Sequence, residues 1–205
     1  MVMTTQVPRK VTLGFAALLM LAAATDAHAA GWREQISTAD SARLANLENS
    51  RDQALAEARH GHGTGDFRAI QETFGAAGHE VPARVLVGNW RCRQMKLGGM
   101  TDYTVFNWFS CRIARVNGEL RIEKQGTQRM AGTLYSENGM WIYLGAQSAR
   151  GEPWRRYSGN GASVGGAANP DDQVGVLVGI GKNRLRLELP SPAVESDFDA
   201  IELVR

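Results

Sequence analysis

Two alternating runs of sequence, Gly-Asn-Trp-Arg-Cys-Arg at residues 88–93 and Phe-Ser-Cys-Arg-Ile at residues 109–113, decide the fold. Alternation of apolar and polar residues is typical of a β-strand that buries one face. A hairpin that turns at Thr101-Asp102 would place Cys92 directly opposite Cys111. Directly opposed residues have Cα atoms about 4.5 to 5.5 Å apart, which a disulfide can bridge. The sequence therefore predicts a bond between its only two cysteines.

The first residues indicate a compartment in which that bond would persist. Arg9 and Lys10 precede an apolar run from Leu13 to Ala24, and a small-x-small cleavage pattern ends at Ala29. We therefore expect a signal peptide over residues 1–29 and a periplasmic or secreted protein with oxidised cysteines. Because neither this run nor any later one is long enough to cross a bilayer, we expect no integral membrane anchor.

Length and charge limit the function classes. The chain has 205 residues, and residues 30–205 have the length of a single domain. The formal net charge is only +2, which gives no reason to expect nucleic acid or an anionic membrane as a partner.

Periodicity divides the domain into two parts. Residues 30–80 are predicted to be helical, with one helix capped at Thr38 or Asp40 and a shorter helix starting near Asp66. Residues 85–205 are predicted to form about eight strands joined mostly by tight turns. This order favours a mainly β fold (α+β), an antiparallel lipocalin-like or calycin-like barrel with helices outside it or across one end.

Further register predictions follow from the turns. The first hairpin places Trp90 opposite Ile113. The turn at Asn117-Gly118 places Ile122 opposite Ile113, because both turn residues tolerate positive φ. An eight-stranded barrel has an interior that side chains fill or that holds one small ligand.

Three groups of side chains could carry function. The first is a set of carboxylates that could perform glycosidase-type chemistry: Glu195, Asp197, Asp199 and Glu202. The second and third are candidate ligand contacts: Lys124, Gln128 and Arg129, then Trp154, Arg156 and Tyr157. Each group also has a structural interpretation, as a solvated loop that enters a strand or as rim residues that cover the core.

No motif supplies a catalytic centre. The nucleophile-elbow string at residues 161–165 lies in a glycine-rich loop, and no histidine base follows it. His60, His62 and His79 lack the companions that a metal site needs. We therefore assign no catalytic residue, no metal and no cofactor.

Trp90 and Arg205 resemble a pair found in lipocalins and other calycins. In those barrels a Gly-x-Trp on the first strand is covered by an arginine from the last strand, which closes one end. The resemblance implies a structural role for this pair, through a cation–π contact of about 0.5 to 2 kcal/mol.

A broader resemblance covers nearly the whole chain after the export signal. It rests on the two opening runs, on Tyr143-Leu144-Gly145, and on the stretches Glu123 to Arg129 and Leu185 to Ser196. These strings are similar to a family of secreted Gram-negative proteins catalogued as a domain of unknown function, number 4893. A looser likeness connects the chain with secreted inhibitors of bacterial metalloproteases, which are small barrels with one disulfide but without the N-terminal helices.

Two classes of function follow. The first is a non-enzymatic barrel that binds a small apolar or amphipathic ligand, or a protein partner, in the periplasm; an inhibitor-like interaction module is one form of it. The second is a hydrolase that uses Glu195, Asp197 and Asp199. The missing nucleophile and metal contexts favour the first class, although the fold by itself does not decide between them.

Overall fold

The computed structural model describes Met1, residues 31–159 and residues 169–205. The predicted signal peptide and the string at residues 161–165 lie outside these residues. The helices are α1 (Trp32–Gln35), α2 (Thr38–Ala45), α3 (Leu47–His60), α4 (Phe67–Gly75) and α5 (Ala83–Leu86). The strands are β1 (Gly63–Thr64), β2 (Gly88–Leu97), β3 (Tyr103–Val105), β4 (Phe109–Val116), β5 (Glu119–Lys124), β6 (Gln128–Glu137), β7 (Met140–Ala149), β8 (Asp172–Gly181), β9 (Arg184–Pro190) and β10 (Phe198–Val204).

Eight of these strands form a closed antiparallel barrel. Around the barrel the order is β2-β10-β9-β8-β7-β6-β5-β4, and β4 pairs again with β2. The prediction of a mainly β fold with an antiparallel barrel of about eight strands and N-terminal helices is confirmed. Two short strands extend the sheet outside the barrel, because β3 pairs with the end of β2 and β1 runs parallel to β3.

The predicted disulfide between Cys92 and Cys111 is present, with Cα atoms 5.8 Å apart. The predicted register was wrong by two residues, since Trp90 is the residue opposite Cys111, and Cys92 lies diagonally across the ladder. The extra strand β3 causes this shift. It folds back on β2 through a turn over residues 98–102, which contains Thr101-Asp102 but begins at Gly98 and Gly99, whose φ angles are 71° and 83°.

The neighbouring hairpin has the predicted register, and Ile113 pairs with Ile122. Trp90, however, does not face Ile113, whose partner on β2 is Gly88.

One half of the barrel interior is filled by apolar side chains that alternate along every strand. Trp90 closes this end, and its indole N–H donates to the carbonyl of Leu86 at 2.8 Å. The Arg205 guanidinium lies 3.9 Å from the Trp90 ring centroid and donates to the carbonyl of Val87 at 2.7 Å. These residues form a plug at this end of the barrel. It is held together by the cation–π contact and by hydrogen bonds to carbonyls at the end of α5 that have no partner within the helix.

The helices pack on the outside of the barrel. Helix α2 lies on β8, α3 on β9, β2 and β10, and α4 on β3. Small and apolar residues of α3 and α4 meet Met95, Leu97, Phe198 and Ala200, so the strands there are buried on both faces. Among the described residues no helix is long and apolar enough to cross a membrane.

The predicted N-terminal helix is divided in two at Asn46. Its N-cap is Ser37, whose hydroxyl accepts from the Asp40 amide, rather than Thr38 or Asp40. A serine before the first turn satisfies an otherwise unpaired N–H. Asp40 lies in that turn, where its negative charge interacts favourably with the helix dipole.

Candidate functional site

The end of the barrel interior opposite Trp90 is polar. The alternation that buries Trp90 and Cys92 on β2 continues inward with Gln94 and Lys96, and the corresponding positions on other strands are also polar. We call this region the polar mouth, and its residues are Gln94, Lys96, Lys124, Gln128, Glu195 and Asp199.

Asp199 is the buried carboxylate of the polar mouth. It is 1% exposed and lies directly opposite Lys96 on the neighbouring strand, with the Lys96 Nζ 3.5 Å from its Oδ2. Gln94 donates to the same oxygen at 2.7 Å, and the Ser196 hydroxyl donates to Oδ1 at 2.5 Å. Burial raises the pKa of Asp199, and the Lys96 charge opposes that rise.

Lys124 is the second ammonium group of the polar mouth and has no carboxylate partner among the described residues. It is 2% exposed, its Nζ donates to the Gln128 carbonyl at 2.6 Å, and it lies 4.9 Å from the Phe109 ring centroid. Burial lowers the pKa of Lys124 to about 8. Because an ammonium has three N–H donors, two of them are available to an acceptor that the described part of the chain does not supply.

Glu195 closes the polar mouth from the loop between β9 and β10. Its Oε2 lies 3.0 Å from the Lys96 Nζ and accepts from the Gln128 side-chain amide at 3.0 Å. These two donors hold the pKa of Glu195 below its ordinary value. The Glu195 side chain remains 40% exposed, so this contact lies at the boundary between the barrel interior and solvent.

Two orphan polar atoms lie deeper in the interior. The Tyr143 hydroxyl and the Gln173 Oε1 are buried without a hydrogen-bond partner in the described residues. The Tyr143 ring occupies space left by Gly132 and Gly145, and Gln173 is the residue directly opposite Gly145. Buried polar atoms of this kind usually bind an ordered water or a ligand, so the interior has unused hydrogen-bonding capacity at these two residues as well.

The structure divides the predicted basic cluster. Lys124 and Gln128 face the polar mouth, whereas Arg129 points outward, where its guanidinium lies 4.2 Å from the Trp154 ring centroid. Tyr157 donates to the Asp40 carboxylate at 2.7 Å and so holds helix α2. Arg156 lies beside Tyr157 in a separate outer cavity.

The predicted acidic group is also divided. Glu195 and Asp199 meet at Lys96. Asp197 is exposed, with its carboxylate against Gly98. Glu202 points to the outside of the barrel and pairs with Arg93 at 2.6 Å.

Sequence reasoning missed Lys96 and Gln94. The alternation that placed Trp90 and Cys92 inside the barrel would have placed both residues on the same face. Their pairing with Asp199 depends on the contact between β2 and β10, which are separated by most of the barrel sequence.

A cavity of about 410 Å³ lies outside the barrel between α3 and β8. Its buried carboxylate is already paired, because Glu188 accepts from Arg51 at 3.1 Å and from Arg186 at 2.7 Å. Within the described chain, no group of three His, Cys, Asp or Glu side chains could hold a metal ion. The polar mouth is therefore the strongest candidate for a site at which a ligand atom would satisfy an unpaired polar group.

The fold and the site define the class of this protein. It is a closed antiparallel barrel with helices on its outer wall and lysines at one end of its interior. The chain belongs to the family described as a domain of unknown function (DUF4893), whose model matches residues 32–203. No curated protein and no solved structure is a significant match.

Proposed function

We propose that this protein is a non-enzymatic, exported barrel that binds a small amphipathic molecule in the periplasm through its polar mouth. The observation that supports the proposal is the buried ammonium of Lys124. A buried ammonium without a carboxylate in direct contact opposes folding, because the attraction of the more distant Asp199 does not outweigh the cost of burial. An apolar residue of similar size would be the more stable choice. An anionic ligand headgroup would supply the missing partner.

The packing of the interior indicates where the rest of such a ligand would lie. The half of the barrel near Trp90 is filled by large side chains such as Tyr143, Leu177 and Leu187, all with no exposed surface. The apolar part of a ligand would therefore stay near the rim. Two exposed apolar side chains lie there, namely Val194 in the Glu195 loop, which is 43% exposed, and Met100 in the turn after β2, which is 82% exposed.

Calorimetric titration with three eight-carbon amphiphiles tests the proposal. We expect octanoate to bind more tightly than octanol, and octyltrimethylammonium not to bind. Lys124→Met should weaken octanoate binding at least about tenfold, which corresponds to about 1.4 kcal/mol. Lys182→Met is the matched control, because Lys182 is exposed in the turn between β8 and β9. Equal octanoate affinity in Lys124→Met and the parent would refute the role of Lys124.

A hydrolase is the second candidate function, and one observation favours it. Glu195 and Asp199 share Lys96, and their pKa values are shifted in opposite directions, as in enzymes that divide acid and base roles between two carboxyl groups. The burial and full hydrogen bonding of Asp199 oppose this function. Assays of purified protein on glycosides, esters and peptides test it, and turnover that Glu195→Gln abolishes without unfolding would establish the hydrolase instead of the binding barrel.

A further inference from the structure

We infer that the Glu195 carboxylate occupies the place of the ligand's own headgroup, so that the ligand is a small carboxylic acid and the tip of the loop, residues 192–195, moves aside when it binds. This inference rests on the proposed function and names its ligand class. Glu195 then competes with the ligand for the same donors, so its removal strengthens ligand binding.

The contacts of Glu195 are those of a bound carboxylate. Side chains from two different strands, Lys96 on β2 and Gln128 on β6, converge on one of its oxygens. Gln128 also connects the site to Lys124, because its backbone carbonyl accepts the Lys124 hydrogen bond while its side chain holds Glu195. A free carboxylate in the same place would keep both donors.

The loop that carries Glu195 is anchored on both sides of its tip. The Asp197 amide donates to the Leu97 carbonyl, and the Asp197 carbonyl accepts from the Ser191 amide, both at 3.0 Å, so movement would be confined to the tip. Glu195 and Ser191 have φ angles of 75° and 45°, a left-handed conformation that costs a residue with a side chain about 1 kcal/mol or more. The Glu195 carbonyl accepts one long hydrogen bond of 3.2 Å, from the Met100 amide. The Glu195 end of the ion pair with the buried Lys96 is 40% exposed, so solvent screens the contact from that side.

Charge balance explains why the group that replaces the Glu195 carboxylate is itself a carboxylate. With Glu195 in place, the two ammonium groups of Lys96 and Lys124 face two carboxylates, Glu195 and Asp199. When the tip of the loop moves aside, two positive charges face Asp199 alone, and all the polar contacts of Asp199 are already made. One incoming monoanion restores the balance, whereas a neutral headgroup leaves a positive charge unpaired.

The test compares octanoate with its neutral analogue octanamide by calorimetric titration of three proteins. The proteins are the parent, Glu195→Gln, and Asp197→Asn as a control that removes one negative charge from the same loop. We expect Glu195→Gln to bind octanoate about tenfold more tightly than the parent does, since it no longer presents a competing charge. Octanamide should bind more weakly than octanoate to all three proteins, because a neutral headgroup leaves an ammonium unpaired, and Asp197→Asn should bind octanoate as the parent does. Thermal unfolding of each variant verifies that the barrel is intact.

The outcomes separate this inference from the proposed function. Tighter octanoate binding by Glu195→Gln alone supports the inference, including the case in which only this variant binds measurably. Equal octanoate affinity in all three proteins overturns the inference but leaves the binding barrel standing. Weaker binding by Glu195→Gln would make Glu195 a part of the ligand site and also overturn the inference. If no amphiphile binds to any of the three proteins, both proposals fail.

Discussion

Replacement of Lys124 by Met should stabilise the protein at neutral pH. Burial shifts the pKa of Lys124 from its ordinary value of 10.5 to about 8, and this difference corresponds to about 3 kcal/mol against folding. Below pH 8 the amine is protonated in both the folded and the unfolded state, so the full cost applies. Between pH 8 and 10.5 the unfolded chain binds more protons than the folded chain, so the stability contributed by this group rises with pH.

Methionine matches the length of lysine and carries no charge, so it removes this cost. Methionine also removes the hydrogen bond that the Gln128 carbonyl accepts from Lys124 at 2.6 Å. This loss lowers the free energy of unfolding by about 1 kcal/mol. We therefore expect Lys124→Met to raise the free energy of unfolding by about 2 kcal/mol at pH 7. The advantage should disappear by about pH 10.5, where the parent protein has lost the buried charge.

Urea unfolding of the parent and of Lys124→Met at pH 7 and at pH 10.5 measures both quantities. Lys182→Met, which removes an exposed lysine, controls for the general effect of alkaline pH on the barrel. A Lys124→Met protein that is less stable than the parent at pH 7 would show that the ammonium stabilises the fold. In that case Lys124 would need no ligand to explain it, and the argument for a function at the polar mouth would lose its basis.

Three further predictions concern the frame around the site. Cys92→Ser should lower Tm and cost about 3 kcal/mol, because the bond to Cys111 spans 19 positions of sequence; two titratable thiols in the native exported protein would be incompatible with the closed bond. Trp90→Ala should cost about 3 to 5 kcal/mol in denaturant unfolding, and Arg205→Ala clearly less, since the cover over the ring and the hydrogen bond to Val87 are lost but the buried indole remains; a reversed order of the two costs would rule out this plug. The exported protein should begin near Ala30, and N-terminal sequencing that finds Met1 in the exported fraction would exclude the signal peptide.

Local pattern was sufficient to predict the barrel but not every register within it. The period-two alternation from residue 85 onward identified the strands, and Asn117-Gly118 set a correct hairpin. The hairpin between Cys92 and Cys111 came out two residues away from its true register, because β3 (Tyr103–Val105) is a short additional strand inside what looked like a turn. The disulfide was still predicted correctly, since the Cα atoms of this diagonal pair are 5.8 Å apart, within the range that a disulfide bridges.

The functional site was predictable only in part, for a related reason. Lys124 and Gln128 continue a local alternation, so the sequence could suggest them. Lys96 meets Asp199 only because β10 closes the barrel on β2, a contact that no local pattern encodes. Glu195 reaches the site because its own backbone is left-handed. Residues other than glycine rarely adopt this conformation, so the sequence did not predict it.

A crystal structure of Glu195→Gln grown with octanoate tests the central claim most directly. We predict that a carboxylate oxygen of octanoate lies within hydrogen-bonding distance of both the Lys96 Nζ and the Lys124 Nζ, with the hydrocarbon chain directed toward Met100. Octanoate bound instead in the outer cavity between α3 and β8, with the polar mouth unchanged, would contradict the assignment of the polar mouth as the ligand site.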